Sequence, residues 1–387
     1  MKRVMGIMVR LLLVSVIILG AAAIWKRNDI RRLLAVNSLF AESKIVANFG
    51  AMGTLFFSAD MTRGPGPVSE LPLGETYALP PEVEAWIDTR SVTSLVVLKD
   101  GALVHESYYQ GTAPGDLRIS WSVAKSFLSA LTGILIENGT IEGLDIPVTQ
   151  HAPQLIGSAY DGATLGNVMH MASGVAFNED YIDFSSDINR MGRVLALGGA
   201  LDDFAAGLTE QVAPPGTQWH YVSIDTHVIG MVLRGATGRS IPDLLQEYLL
   251  WPLGLEADPY YVADGKGVAF VLGGLNLTTR DYARFGQMIA QGGMWQGAQI
   301  VPNDWIAIST IPTAPTAADE SGYGLQWWIP QGWPAGEFIA RGVYGQYIYI
   351  NQNLGVVIAT NATDRGFTED GVAAQNEAVF RLIADAL

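Results

Sequence analysis

Hydrophobic periodicity changes twice along this chain. Ser94–Lys99 and Ala102–Tyr109 are apolar-rich runs joined by Asp100-Gly101, and a two-residue Asp-Gly link predicts a hairpin. From Ser122 to about Ala290 the spacing becomes mostly helical. Ala124, Phe127, Leu128, Leu131, Ile134 and Leu135 recur every three or four residues. They predict an amphipathic helix that stops at Gly139. Val228, Ile229, Val232 and Leu233 predict a second helix over Asp225–Gly235. Strand patterns return at Arg341–Ile350 and at Val356–Thr360, with Asn353-Leu354-Gly355 as the turn between them. A helix over Asn376–Leu387 closes the chain. Strands at both ends with helices inserted between them predict an α+β fold, an antiparallel sheet flanked by helices with a helical lobe alongside.

The N-terminus reads as a separate module. Lys2, Arg3 and Arg10 precede the uncharged, mostly apolar run Leu11–Trp25. Ala21-Ala22-Ala23 offers a small-residue cleavage site, and Lys26, Arg27, Arg31 and Arg32 follow. Residues 1–32 are therefore expected to be a signal anchor or signal peptide that brings the chain to a membrane and places the rest outside the cytoplasm, in the periplasm. Residues 33–79 read as an extension or linker, with Gly64-Pro65-Gly66-Pro67 as a loop. The globular domain spans 80–387 and opens on a short helix after Pro80-Pro81.

The candidate chemistry sits at the mouth of the first long helix. Ser122-Val123-Ala124-Lys125 is an S-x-x-K tetrad. Serine and lysine three apart on a helix lie about one turn from each other on the same face. The helix start, with unpaired N–H groups, favours negative charge. A neighbouring amine and an electropositive helix start both activate a hydroxyl nucleophile. Lysine is the wrong sign for a helix N-terminus, so its presence there asks for a reason. Trp219-His220-Tyr221-Val222-Ser223 follows the Pro214-Pro215-Gly216-Thr217 loop and leads into the second helix. Its Tyr221 and Ser223 form a Y-x-S pair that can stand opposite the serine, where S-x-x-K enzymes carry a second polar element. Such enzymes also line their substrate with a K-T-G strand. No K-T-G is present here; the candidate edge strand is Arg341-Gly342-Val343-Tyr344-Gly345-Gln346. Trp327, Trp328 and Trp333 precede it and suggest an apolar wall.

Composition narrows the alternatives. The 387 residues carry a net charge of −15, which argues against nucleic acid as a partner. There is no cysteine, hence no thiol nucleophile and no disulfide. The five histidines show no metal-ligand spacing, and the glycine-rich runs lack a nucleotide-binding pattern. Neither a metal nor a cofactor is expected.

These motifs together resemble the superfamily of serine β-lactamases, DD-peptidases and family VIII esterases. The 6-aminohexanoate-dimer hydrolase branch is the most similar part. Ser122–Lys125 and Trp219–Ser223 carry the resemblance. So do Gly273–Asp281 with Ala283-Arg284-Phe285-Gly286, Gly322–Trp328 and Gly342–Gln346. The resemblance implies a β-lactamase/transpeptidase-like fold and a serine hydrolase acting on a small amide or ester. It implies Ser122 as acyl-forming nucleophile, Lys125 as its proton-tuning partner, and Tyr221 as general base and proton donor to the leaving group. Ser223 would orient Lys125 or the substrate. The backbone N–H groups of Ser122 and Val343 would hold the oxyanion. Tyr181, in Asn178-Glu179-Asp180-Tyr181, resembles a tyrosine that contacts the scissile amide, and Tyr344 stands where some relatives have histidine. With Trp327 these form the expected substrate-binding set. Two routes for the serine proton stay open: Tyr221 with its pKa brought down by the lysine, or Lys125 itself deprotonated by burial. Two rival readings are a family VIII-type carboxylesterase and a non-catalytic, membrane-anchored cell-wall binding protein of the same fold.

Overall fold

The computed structural model describes residues 2–387; the side chains of residues 2–4, 9, 22 and 23 lie outside that description. The basic Lys2 and Arg3 and part of the Ala21–Ala23 candidate cleavage site fall on these. Lys2–Trp25 forms one helix, followed by the helix Arg27–Ser38. Counted over the described residues alone, no helix is long and apolar enough to cross a membrane. The expected membrane attachment of residues 1–32 gains no support there.

The main sheet has seven antiparallel strands. In spatial order they are Ala102–Tyr108, Val92–Lys99, Val356–Ala362, Gln346–Asn351, Glu337–Gly342, Trp328–Ile329 and Gly322–Tyr323. The first two form the expected hairpin. Asp100 and Gly101 both have positive φ, at 51° and 82°, the demand that an Asp-Gly link meets at low cost. Alternation along the central strands sorts their side chains onto two faces. Val96, Leu98, Ile348, Ile350, Val357 and Ala359 point into the larger core, shared with the helical lobe. Leu95, Val97, Tyr347, Tyr349, Val356 and Ile358 point into a second core, against the helices Pro81–Thr89 and Val372–Asp385. A sheet covered on both faces explains why these strands read as nearly continuous apolar runs.

The helix of the S-x-x-K tetrad runs over Ala124–Glu137, after a 3-10 turn at Trp121–Val123. Gly139 sits just past its end with φ 75°. The expected amphipathicity is corrected: every residue from Ala124 to Leu135 is buried. Its polar side chains are small, and two hydroxyls bond to backbone. Ser126 donates to the Gln326 carbonyl at 2.8 Å and Thr132 to the Leu128 carbonyl at 2.8 Å. The second helix runs over Ser223–Thr237, two residues earlier than its apolar spacing predicts. Gln326 ties the two helices together. Its side chain accepts from Thr226 at 2.8 Å and donates to the Met169 carbonyl at 2.8 Å.

The sequence Arg341–Ile350 is two strands rather than one. Gly342 ends the first and Gln346 begins the second, paired across the turn. Val343, Tyr344 and Gly345 make that turn, Tyr344 with φ 60° and Gly345 with φ 86°. Residues 33–56 do not trail away as a linker. Phe40 stacks on Tyr344, with ring centroids 4.8 Å apart and 12° between planes, and Phe49 packs edge-on against Trp121 at 5.5 Å.

Candidate active site

Four segments converge on Ser122. The 3-10 turn and its helix supply Ser122 and Lys125. The segment entering the Ser223 helix supplies Tyr221 and Ser223. The Leu272–Gly274 bend contributes a backbone carbonyl, and the Val343–Gly345 turn closes the other side. Trp121, just before the serine, has φ 41°, a strained conformation for a bulky residue. Packing holds it there: its ring lies against Phe40, Phe49 and Tyr344.

Lys125 is the centre of the polar network. It is 2% exposed. Its Nζ lies 2.9 Å from Ser122 Oγ, 3.3 Å from Ser223 Oγ and 2.8 Å from the Leu272 carbonyl oxygen. Burial pushes its pKa down to about 7, with the Glu179 carboxylate pulling the other way. A buried amine loses its charge because desolvation penalises the ammonium. The geometry admits the neutral form. The Leu272 carbonyl can only accept. Ser223 donates its own proton to Glu179, which leaves its oxygen as an acceptor. As an ammonium Lys125 donates to Ser122 Oγ as well; as a neutral amine its two N–H bonds can go to Leu272 and Ser223, with the lone pair toward the Ser122 hydroxyl.

Of the two routes left open by the sequence, the one through Tyr221 runs against its surroundings. Burial, then the Glu179 carboxylate, holds its phenol well above the ordinary tyrosine range; the Ser122 hydroxyl opposes this without offsetting it. The lysine-induced lowering considered from sequence does not prevail over burial. Its surroundings favour the neutral phenol. Its ring is held in an aromatic cluster, 5.1 Å from Trp328 and 6.2 Å from Tyr323, with Lys125 Nζ 5.5 Å from its centroid.

Sequence reasoning passed over Glu179. Its carboxylate accepts from the Ser223 N–H at 2.9 Å, from Ser223 Oγ, and from Tyr181 Oη at 2.6 Å. It therefore aligns Ser223 and Tyr181 at once. No local signal separates it from Asp180 and Asp183, which serve their own loop through bonds to nearby N–H groups. Of the other expected residues, Ser122, Tyr181, Ser223, Val343 and Tyr344 line one cavity of about 450 Å³. Trp327 does not. It is buried in the core, stacked on Phe285 at 6.2 Å and edge-on to Phe338 at 5.2 Å. Its neighbour Trp328 points the opposite way, toward Tyr221, as strand alternation requires.

Gly342 is needed for a close approach. A Cβ there would stand 2.8 Å from the Ser120 carbonyl oxygen and 3.0 Å from the Ser122 nitrogen. The missing side chain thus makes room for the protein's own nucleophile turn, not directly for substrate. Gly342→Ala is expected to push Val343 away from Ser122. With the Ser122 and Val343 N–H groups as the oxyanion donors that the resemblance implies, that separation costs about 10²- to 10³-fold in kcat; the check is steady-state kinetics on variant protein whose thermal midpoint shows it folded.

The motif Gly273–Asp281 has a structural part. Leu275–Leu277 pairs with Arg118–Ile119, and Thr278 caps the helix Thr279–Ala290 by accepting from the Asp281 N–H at 3.1 Å. Asp281 meets Arg284 at 2.8 Å in a buried ion pair. This framework fixes the Leu272 carbonyl that Lys125 needs.

Comparison with known proteins agrees with this geometry. Residues 85–379 match the Beta-lactamase family model. The 6-aminohexanoate-dimer hydrolase of Paenarthrobacter ureafaciens is 29% identical over 327 residues, 80% of this chain and 83% of that one. A solved structure from Bacillus anthracis, assigned as a 6-aminohexanoate-dimer hydrolase, superposes with a TM-score of 0.80 at 23% identity, covering 90% of this chain and 95% of that one. One from Bacteroides dorei, assigned as a β-lactamase, gives a TM-score of 0.65 at 22% identity over 80% of this chain and all of that one. A fold with the S-x-x-K serine between a seven-stranded antiparallel sheet and a helical lobe, matched by the family model over most of its length, places this chain in the Beta-lactamase family, as a hydrolase.

Proposed function

We propose that this hydrolase cleaves a small amide or ester through an acyl-enzyme on Ser122. The observation that carries the reading is the Lys125 amine, buried to a pKa of about 7 and 2.9 Å from Ser122 Oγ. Lys125 takes the hydroxyl proton as Ser122 Oγ bonds to the substrate carbonyl carbon. The oxyanion forms beside the N–H groups of Ser122 and Val343. The Tyr221 phenol gives its proton to the leaving nitrogen or oxygen as that bond breaks, and recovers one from Lys125. Water then repeats the attack on the acyl-enzyme and frees Ser122. We propose separately that the domain lies outside the cytoplasm, a reading supported by the basic and apolar N-terminal sequence alone.

The sign of the pH dependence follows. Below about pH 7 Lys125 is an ammonium and cannot accept the serine proton. The expected kcat/KM falls about tenfold per pH unit below 7 and is flat just above it. A profile with ester substrate checks this.

The direct test is labelling with a fluorophosphonate probe and mass mapping of the adduct. An adduct on the Ser122 peptide supports the proposal. Folded protein that takes no label and turns over neither p-nitrophenyl esters, nitrocefin nor a linear aminohexanoate dimer overturns it in favour of a binding protein.

A further inference from the structure

The cavity beside Ser122 is apolar on nearly every side, and much of its wall comes from outside the long apolar-patterned core segments. Leu33, Val36, Leu39, Phe40, Met52 and Phe56, from the N-terminal extension, line it. Phe184, Ile188, Met191 and Leu195 line it as well. At about 450 Å³ its volume lies within the roughly 300–1,000 Å³ typical of small-molecule sites. Asn37, Asn189 and Arg193 are among the polar lining residues, the Asn189 amide already donating to the Tyr181 and Asp183 carbonyls, and no Asp or Glu is among them. The Arg193 guanidinium is engaged, donating to the Phe184 carbonyl at 2.8 Å with its carbon 4.1 Å from the centre of the Phe184 ring. Glu179 does not line the chamber; its carboxylate lies behind Tyr181 and Ser223, with three donors on it.

We infer that this chamber selects the acyl half of the substrate, and that the acyl group it takes is an uncharged hydrocarbon chain, not one ending in an ammonium. The inference rests on the acyl-enzyme reading above. The acyl side is assigned because the chamber reaches Ser122 and Val343, the nucleophile and oxyanion groups, while Tyr221, which serves the leaving group, does not line it. The uncharged chain is assigned because burying an ammonium here would leave it without a carboxylate partner, beside a cationic arginine. Each methylene buried in such a chamber favours the transition state by about three- to fourfold until the space is full.

The test uses the full chain and p-nitrophenyl acetate, hexanoate, decanoate and 6-aminohexanoate, with hexyl and decyl acetates as the alcohol-side series. The expected kcat/KM rises from acetate to the longer acyl chains, and hexanoate exceeds 6-aminohexanoate by about 10²-fold. Gly192 gives the matching variant. It lines the chamber from the middle of the helix Asp187–Leu197, and a Cβ there meets nothing within 4 Å. Helices prefer leucine to glycine, so Gly192→Leu fills space without straining the backbone. It is expected to lower the decanoate-to-acetate ratio about 30-fold, with fluorophosphonate labelling of Ser122 reporting an intact nucleophile. A flat acyl series, a preference for the ammonium-ended ester, chain-length dependence only on the alcohol side, or an unchanged ratio in a labelled Gly192→Leu protein overturns the inference. Absence of label on Ser122 in the parent protein overturns the acyl-enzyme reading itself, and this inference with it.

Discussion

Ser122→Ala is expected to lower kcat by at least about 10⁴-fold on any ester or amide the protein turns over, with little change in the thermal midpoint. The size follows from what is removed. Without Oγ no covalent intermediate forms, and loss of the nucleophile in a serine hydrolase of comparable design costs on the order of 10⁶. The small stability effect follows from the contacts. Among the described residues, Ser122 Oγ makes its side-chain hydrogen bond to Lys125, and the φ of 41° at Trp121 is imposed by ring packing rather than by the serine. The measurement is steady-state kinetics beside a thermal melt. Residual kcat within tenfold of the parent would mean that another group carries the chemistry.

Lys125→Met is the second large effect, expected at about 10⁴-fold in kcat, the upper range for a positioned proton acceptor. Methionine keeps the length and apolar stem, so the buried helix stays packed. It removes the acceptor for the serine proton and leaves the Leu272 carbonyl and Ser223 without their donor. The pH profile distinguishes this role from a merely structural one. In the parent the acid limb reports an amine whose burial brings its pKa to about 7. In the variant that limb is expected to vanish from whatever activity remains. A limb that persists unchanged would assign the titration to another group and return the base to Tyr221, against the burial and the Glu179 charge that keep its phenol protonated.

The sequence carried the parts of this site that local rules govern. Asp100-Gly101 announced its hairpin because two successive positive φ values admit few residue types. Ser122 and Lys125 were legible because three-residue spacing on a helix fixes which side chains meet. Other features depend on chain that is distant in sequence. Tyr344 looks like one more aromatic in a strand, yet it has a φ of 60° in the turn that reverses the chain, whose Val343 lines the same cavity as Ser122. Trp327 and Trp328 are alike in composition. Only the strand register sends one to the core and the other to Tyr221. Phe40 meets Tyr344 across some three hundred residues, and nothing in the pattern of residues 33–79 marks it as a wall of the site. Burial of Lys125 stood in the sequence only as one of two routes, because a spaced apolar stripe predicts a wet face that the lobe in fact covers.

Rapid-quench mass spectrometry with p-nitrophenyl hexanoate tests the central claim most directly. The account predicts that protein stopped in acid during turnover carries a hexanoyl group, that peptide mapping places it on Ser122, and that Ser122→Ala carries none. An acyl group found on another residue, or turnover without any covalent acyl species when deacylation is slowed at low pH, would contradict it.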